Sequence, residues 1–171
     1  SSRPNQSGQP VVDLDRYPEP AATLTLCDGW IDGSWVSTEA AELGVLVESV
    51  AEMIDGRRAL ESMWAEPVDR FGYLSRAFSP EPAAVVIPDG VRLAAPIVVA
   101  VHVDSNEAAV FPRLVIDIGR DASATVIELH TSADVDSLVF PVLEVVVGKA
   151  GKLRHGLLQN FGRRVWQVGH Q

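Results

Sequence analysis

The chain holds few of the groups that chemistry usually requires. It has one cysteine, Cys27, in 171 residues, which excludes an internal disulfide and a multi-thiol metal cage. A single thiol suits a reducing cytosol. Aromatic residues are only 6% of the chain, too few for a sugar-binding sheet lined with rings and carboxylates. No apolar run approaches the ~20 residues of a membrane span, and the first residues lack the apolar stretch of a signal peptide. Basic residues are outnumbered, 14 against 23 acidic, for a net charge of −9. That average field repels phosphate backbones and anionic membranes. These absences predict a soluble cytoplasmic protein with neither nucleic acid nor membrane as partner.

Familiar catalytic motifs are missing too. Ser34, Ser75 and Ser123 sit in no G-x-S-x-G elbow. Gly148-Lys149-Ala150-Gly151-Lys152 has neither the full phosphate loop nor a Ser or Thr after its last lysine, so it reads as a turn. Asp13, Asp15 and Glu19, and separately Asp134 and Asp136, are carboxylate groups in tail and loop sequence. Solvation explains them more simply than acid–base work. No catalytic residue and no cofactor-binding residue is assigned.

What is present is hydrocarbon: 47% of residues are hydrophobic, dominated by Val, Ile, Leu and Ala. A Val-rich core poor in rings suits sheets buried on both faces. Residues 1–22 are rich in Ser, Pro, Gln and Gly, and read as a flexible tail. Residues 23–82 read as a small α/β segment. In it, Thr23 to Val36 looks like a hairpin turning at Asp32-Gly33, with Trp30 and Trp35 facing each other across the turn. Gly44 to Ser49 is a further strand. Leu60, Met63 and Trp64, then Phe71, Leu74 and Phe78, recur at helical spacing. Pro67 between them should start the second helix.

Residues 83–171 alternate short strands with turns. Val85-Val86-Ile87, Leu114-Val115-Ile116 and Val145-Val146-Val147 each run toward a glycine, at Gly90, Gly119 and Gly148. Their spacing of about thirty residues falls in the range of stacked repeats. The expected fold class is mainly β: a right-handed parallel β-helix, or solenoid, preceded by the α/β segment. A β-sandwich would also supply many short strands.

Four histidines, His102, His130, His155 and His170, lie on or beside these strands. Neutral imidazole is a common metal ligand, but none has the tight spacing of a zinc or iron site. His155 and Cys27 remain the metal-ligand candidates, each weighed against a structural role. Lys149, Lys152, Arg154, Arg163 and Arg164 make the C-terminal third basic. They could face an acidic partner or simply be solvated.

Several segments resemble the SufB/SufD family of iron–sulfur cluster assembly proteins. They are Val86 to Ile97 with its Pro88-Asp89-Gly90 turn, Asp121 to Glu128, and Glu144 through Leu153-Arg154-His155 to Gln159. They fall in the family's order. Tyr73 to Phe78 resembles the helix that precedes them, and Ile31 to Val36 resembles the SufD branch more than SufB. Asp121 stands where the family pattern has Gly, and Gly148 and Gly151 flank another expected glycine.

The resemblance implies the front part of a non-catalytic scaffold subunit, with the C-terminal part of the family pattern missing. No functional residue of the family is carried over. It also implies SufB-like and SufC-like partners for the full-length protein. An iron–sulfur cluster would rest transiently on the parent complex and not on this chain. A truncated β-helix would leave an open end prone to self-association. The alternative is a β-solenoid binding or structural adaptor module, for example sugar-binding, unrelated to cluster assembly.

Overall fold

β-Branched runs separated by turn residues become strands, and here the strands fall into three sheets. The computed structural model describes residues 19–53, 67 and 69–169. The tail as far as residue 18, the helical pattern at Leu60, Met63 and Trp64, and His170 lie outside the described residues.

The first sheet contains β1 (Ala22–Cys27), β2 (Trp30–Val36), β5 (Ile97–Val103), β8 (Ser123–Ser132) and β11 (Lys152–Asn160), in the order β11-β8-β5-β1-β2. The second contains β3 (Leu46–Ser49), β4 (Ala83–Ile87), β7 (Arg113–Ile118) and β10 (Val142–Val147), in the order β10-β7-β4-β3. The third contains β6 (Ala108–Val110), β9 (Ser137–Val139) and β12 (Val165–Gln167), with β9 in the middle. From β4 onward the chain visits second, first and third sheet in turn. Every pairing there is parallel. The antiparallel pairs are β1 with β2 and β3 with β4, both at one end of the order. The molecule is therefore mainly β with parallel sheets.

The three repeat segments do become neighbours in one sheet, but with a slip. Val85 lies opposite Ile116, and Ile116 opposite Val145. Ile116-Asp117-Ile118 therefore aligns with Val85-Val86-Ile87, where the sequence pattern aligned Leu114-Val115-Ile116. A slip of two residues preserves which side chains face inward, so the core is unaffected. β1 pairs in parallel with β5, Leu24 opposite Val99. Residues 23–82 thus supply strands to the same two sheets as residues 83–171.

The core lies between the first two sheets. Leu24, Ile97, Val99, Ile116, Ile118 and Val126 are each 0% exposed within it. Each such side chain contributes about 1.5–3 kcal/mol through burial.

The hairpin is corrected by the structure. The turn is Asp28-Gly29, not Asp32-Gly33, and Trp30 and Trp35 share strand β2. Trp35 lies opposite Thr23, and Trp30 opposite Cys27. Asp28 and Gly29 have φ of 50° and 84°, the left-handed pair a two-residue hairpin turn requires. The Asp28 carboxylate fixes the choice. It accepts from the backbone N–H groups of Asp104 and Ser105, at 2.9 and 3.2 Å, and from the Ser105 hydroxyl at 2.6 Å.

Two helices border the sheets. The short α1 (Thr38–Glu42) is capped by Ser37, whose hydroxyl accepts from Ala40 N. The longer α2 (Arg70–Phe78) begins after Asp69, whose carboxylate accepts from Gly72 N at 2.8 Å. Pro67 lies ahead of that cap and is not the first helical residue. The helix stops at Ser79, before Pro80. Phe71 and Phe78 of α2 stack on Phe140 and Phe111, and those two rings stack on each other with centroids 5.1 Å apart. This chain of rings fastens the helix to the turns flanking β7 and β9. No helix among the described residues is long and apolar enough to cross a membrane.

Candidate functional site: a buried carboxylate shared by two imidazoles

Alternation along β8 sends Ala124, Val126, Glu128 and His130 to one face. The register then assigns their neighbours. Val99 lies beside Glu128, Val101 beside His130, and Val126 beside His155. Positions that hold hydrocarbon in β5 hold ionisable groups in β8 and β11. These groups are not solvated: Glu128 is 6% exposed and His130 2%.

Burial of a carboxylate requires partners, and Glu128 has two. His130 Nε2 donates to Glu128 Oε2 at 3.0 Å, and His155 Nε2 donates to Oε1 at 2.7 Å. The Glu128 carboxyl feels burial most strongly, which pushes its pKa up. The hydrogen bonds and charges of His130 and His155 outweigh that, and hold it below the ordinary carboxylate value. The group is therefore an anion at neutral pH. Its two oxygens tie β8 to the next strand, β11.

The His130 ring adds a further feature. With Nε2 donating, the neutral ring carries its lone pair on Nδ1. That nitrogen is buried and has no hydrogen-bond partner among the described residues. Gln167 Oε1 is in the same condition. Both residues line a small cavity, together with Glu128, Arg113, Val101 and Leu157. Its volume of about 30 Å³ is enough for roughly two waters. On its β7 side, Arg113 Nη2 donates to both oxygens of Glu144 on β10, at 2.9 and 3.0 Å. A second buried ion pair thus crosses from one strand to the next.

Of the residues proposed from sequence, His155 and His130 are brought together, with Glu128 between them. His102 is elsewhere on the sheet, with Nδ1 3.0 Å from the Thr131 hydroxyl. Cys27 is half-buried at the end of β1 and free. Burial, and then the negative charges of Asp28, Asp104 and Asp32, push its thiol up to about 11. It is a protonated thiol at neutral pH, not the soft thiolate that a metal prefers. No group of three His, Cys, Asp or Glu side chains among the described residues is placed to hold a metal ion. Asp134 and Asp136 are engaged by Arg164, which reaches Asp136 Oδ2 at 2.8 Å and the Asp134 carbonyl at 2.7 Å. Sequence reasoning missed Glu128. The available signal was its i, i+2 relation to His130 in a strand, which places both on one face.

Residues 101–171 match the family model for the SUF system FeS cluster assembly, SufBD core domain. This places the chain in the SufB/SufD family. The matched SufBD core segment includes the whole of β6 to β12, and with them Glu128, His130 and His155. No curated protein matches the chain.

Proposed function

We propose that this chain is part of a non-catalytic, SufD-like scaffold subunit of a SufBCD-type iron–sulfur assembly complex. The observation that carries the reading is the SufBD core match over residues 101–171. In this reading the three sheets are the first coils of a β-helix. Their strand order supports it, because each pass adds one parallel strand to each sheet. The winding is right-handed, as nearly all parallel crossovers within one sheet are. The likeness of Ile31 to Val36 to the SufD strand favours that branch.

The cluster is cargo on the parent complex and not a resident group of this chain. The partners are a SufB-like subunit and a SufC-like ATPase, and the setting is the cytoplasm. Glu128, His130 and His155 act in this reading as an internal strut holding successive coils in register.

The test is to tag the endogenous gene product, purify it gently, and identify co-purifying proteins by mass spectrometry. Recovery of a SufC-like ATPase with a SufB-like partner is expected. Repeated recovery of the tagged protein without either would end the assembly reading.

A further inference from the structure

Charge is divided along the stack of strands. Ala21 to Met53 contains six carboxylates, Asp28, Asp32, Glu39, Glu42, Glu48 and Glu52, with no lysine or arginine. These residues form β1, β2, α1 and β3, which lie at one end of the first two sheets. Val145 to Gly169 contains Lys149, Lys152, Arg154, Arg163 and Arg164, with no acidic residue. They belong to β10, β11, β12 and the turns between, the outermost strands at the other end. Asp32, Glu39, Glu42 and Glu52 are exposed, as are all five of the basic residues. Of those five, only Arg164 is held in an ion pair.

Both ends also present bare strand edges. In the first sheet β11 and β2 each have a strand on one side only, and in the second sheet β10 and β3 do. About half of an edge strand's backbone N–H and C=O groups point away from its neighbour. Apolar side chains accompany these edges. Trp35 on β2 is 48% exposed, Leu158 on β11 50%, and Trp166 on β12 73%.

We propose that copies of this chain stack head to tail, the basic β10–β11–β12 end of one against the acidic β2–β3 end of the next. A second copy fits because the same two sheets offer an edge at each end. β11 can meet β2 while β10 meets β3, and unlike charges meet at both. Like charges facing each other are the usual guard against edge pairing. They disfavour the two head-to-head arrangements and leave the head-to-tail one. The contact is heterologous, so it does not close at two copies. This inference does not depend on the scaffold reading.

The test is light scattering and sedimentation of the intact chain across a concentration series, at about 20 mM and about 500 mM salt, which bracket strong and weak screening. At low salt the average mass should climb with concentration past two copies without levelling. High salt should weaken association by about tenfold, the scale of a few exposed charge pairs. A monomer at all low-salt concentrations, or a plateau at two copies, would overturn the proposal.

Reversing the basic end (Lys149→Glu, Lys152→Glu, Arg154→Glu) should abolish stacking. So should reversing the acidic end (Asp32→Lys, Glu39→Lys, Glu42→Lys). An equimolar mixture of the two should regain it. Undiminished association of either reversed chain alone, with no gain on mixing, would equally overturn the proposal. If circular dichroism shows that a reversed chain does not fold, the salt series on the unmodified chain decides.

Discussion

The interior beside β5 and the interior beside β8 and β11 are built from the same columns of positions, yet they are held together differently. Beside β5 the column residues are Ile97, Val99 and Val101, and nothing polar enters. One strand on, Glu128 and His130 occupy the places next to Val99 and Val101, and His155 follows beside Val126. The dry region needs only volume and shape. The polar region needs every partner present, because a buried anion left alone costs far more than a methyl group removed. One fold therefore uses two kinds of interior, one tolerant of apolar exchange and one that fails when a single member is lost.

The sharpest way to break the comparison is to place a carboxylate in the dry region. Val99→Glu has no imidazole to meet it, and should cost roughly 3–5 kcal/mol. At about 2–4 °C per kcal/mol for a chain of this size, the melting temperature should fall by roughly 10 °C or more. Thermal unfolding followed by circular dichroism measures it. A drop of only a degree or two would mean the two interiors are not different in kind.

The converse change is smaller. Glu128→Leu leaves two imidazole N–H groups facing hydrocarbon, and should lose about 1–3 kcal/mol in urea unfolding. Converting all three members, Glu128→Leu with His130→Val and His155→Val, should recover most of that loss, since apolar replacement of a whole buried ionic group is often neutral or better. If the triple variant is worse than the single one, the trio is a stabilising unit in its own right.

A pH series sharpens the same point. The folded-state pKa of Glu128 is depressed, so its contribution to stability is present above the ordinary carboxylate value near ~4.3. It is lost as pH falls through the lower folded value. The stability advantage of the native chain over Glu128→Gln should therefore be level from pH 7 to about 5 and shrink below that. Urea midpoints at each pH test it. An advantage that grows on acidification would reverse the sign and sink the account.

The smallest effect concerns Cys27. With its thiol pushed up to about 11, alkylation at pH 8 should run roughly a hundredfold slower than for a free cysteine with its usual value near 8.5. Mass spectrometry of a timed iodoacetamide reaction reads this. Labelling as fast as glutathione would show the thiolate to be accessible.

Much of the fold was legible because β-branched runs and turn residues report local geometry. The strands around Val85, Ile116 and Val145 stand where the pattern put them, and so does the helix from Arg70 to Phe78. What failed was register. Alternation has a period of two, so Leu114 and Ile116 are equally good partners for Val85 until the sheet is seen. The hairpin shows the same limit. Asp28-Gly29 and Asp32-Gly33 are both acceptable turns, and the bonds from Asp28 to Ser105 that decide between them join residues far apart in sequence. The Glu128 site is half legible in the same way. Its link to His130 is local, while its link to His155 exists only once β11 is placed against β8.

The parallel pairing of β1 with β5 has a consequence for how the protein is made. The β1–β2 hairpin can close soon after it leaves the ribosome, since both strands and the Asp28-Gly29 turn emerge together. Its other edge waits for Ile97 to Val103, which at roughly 5–20 residues per second means several seconds of translation. Through that interval Leu24 and Leu26 have no core to enter. The earliest-born part of the molecule is then its most adhesive, and nascent chains on neighbouring ribosomes are the surfaces it would meet first.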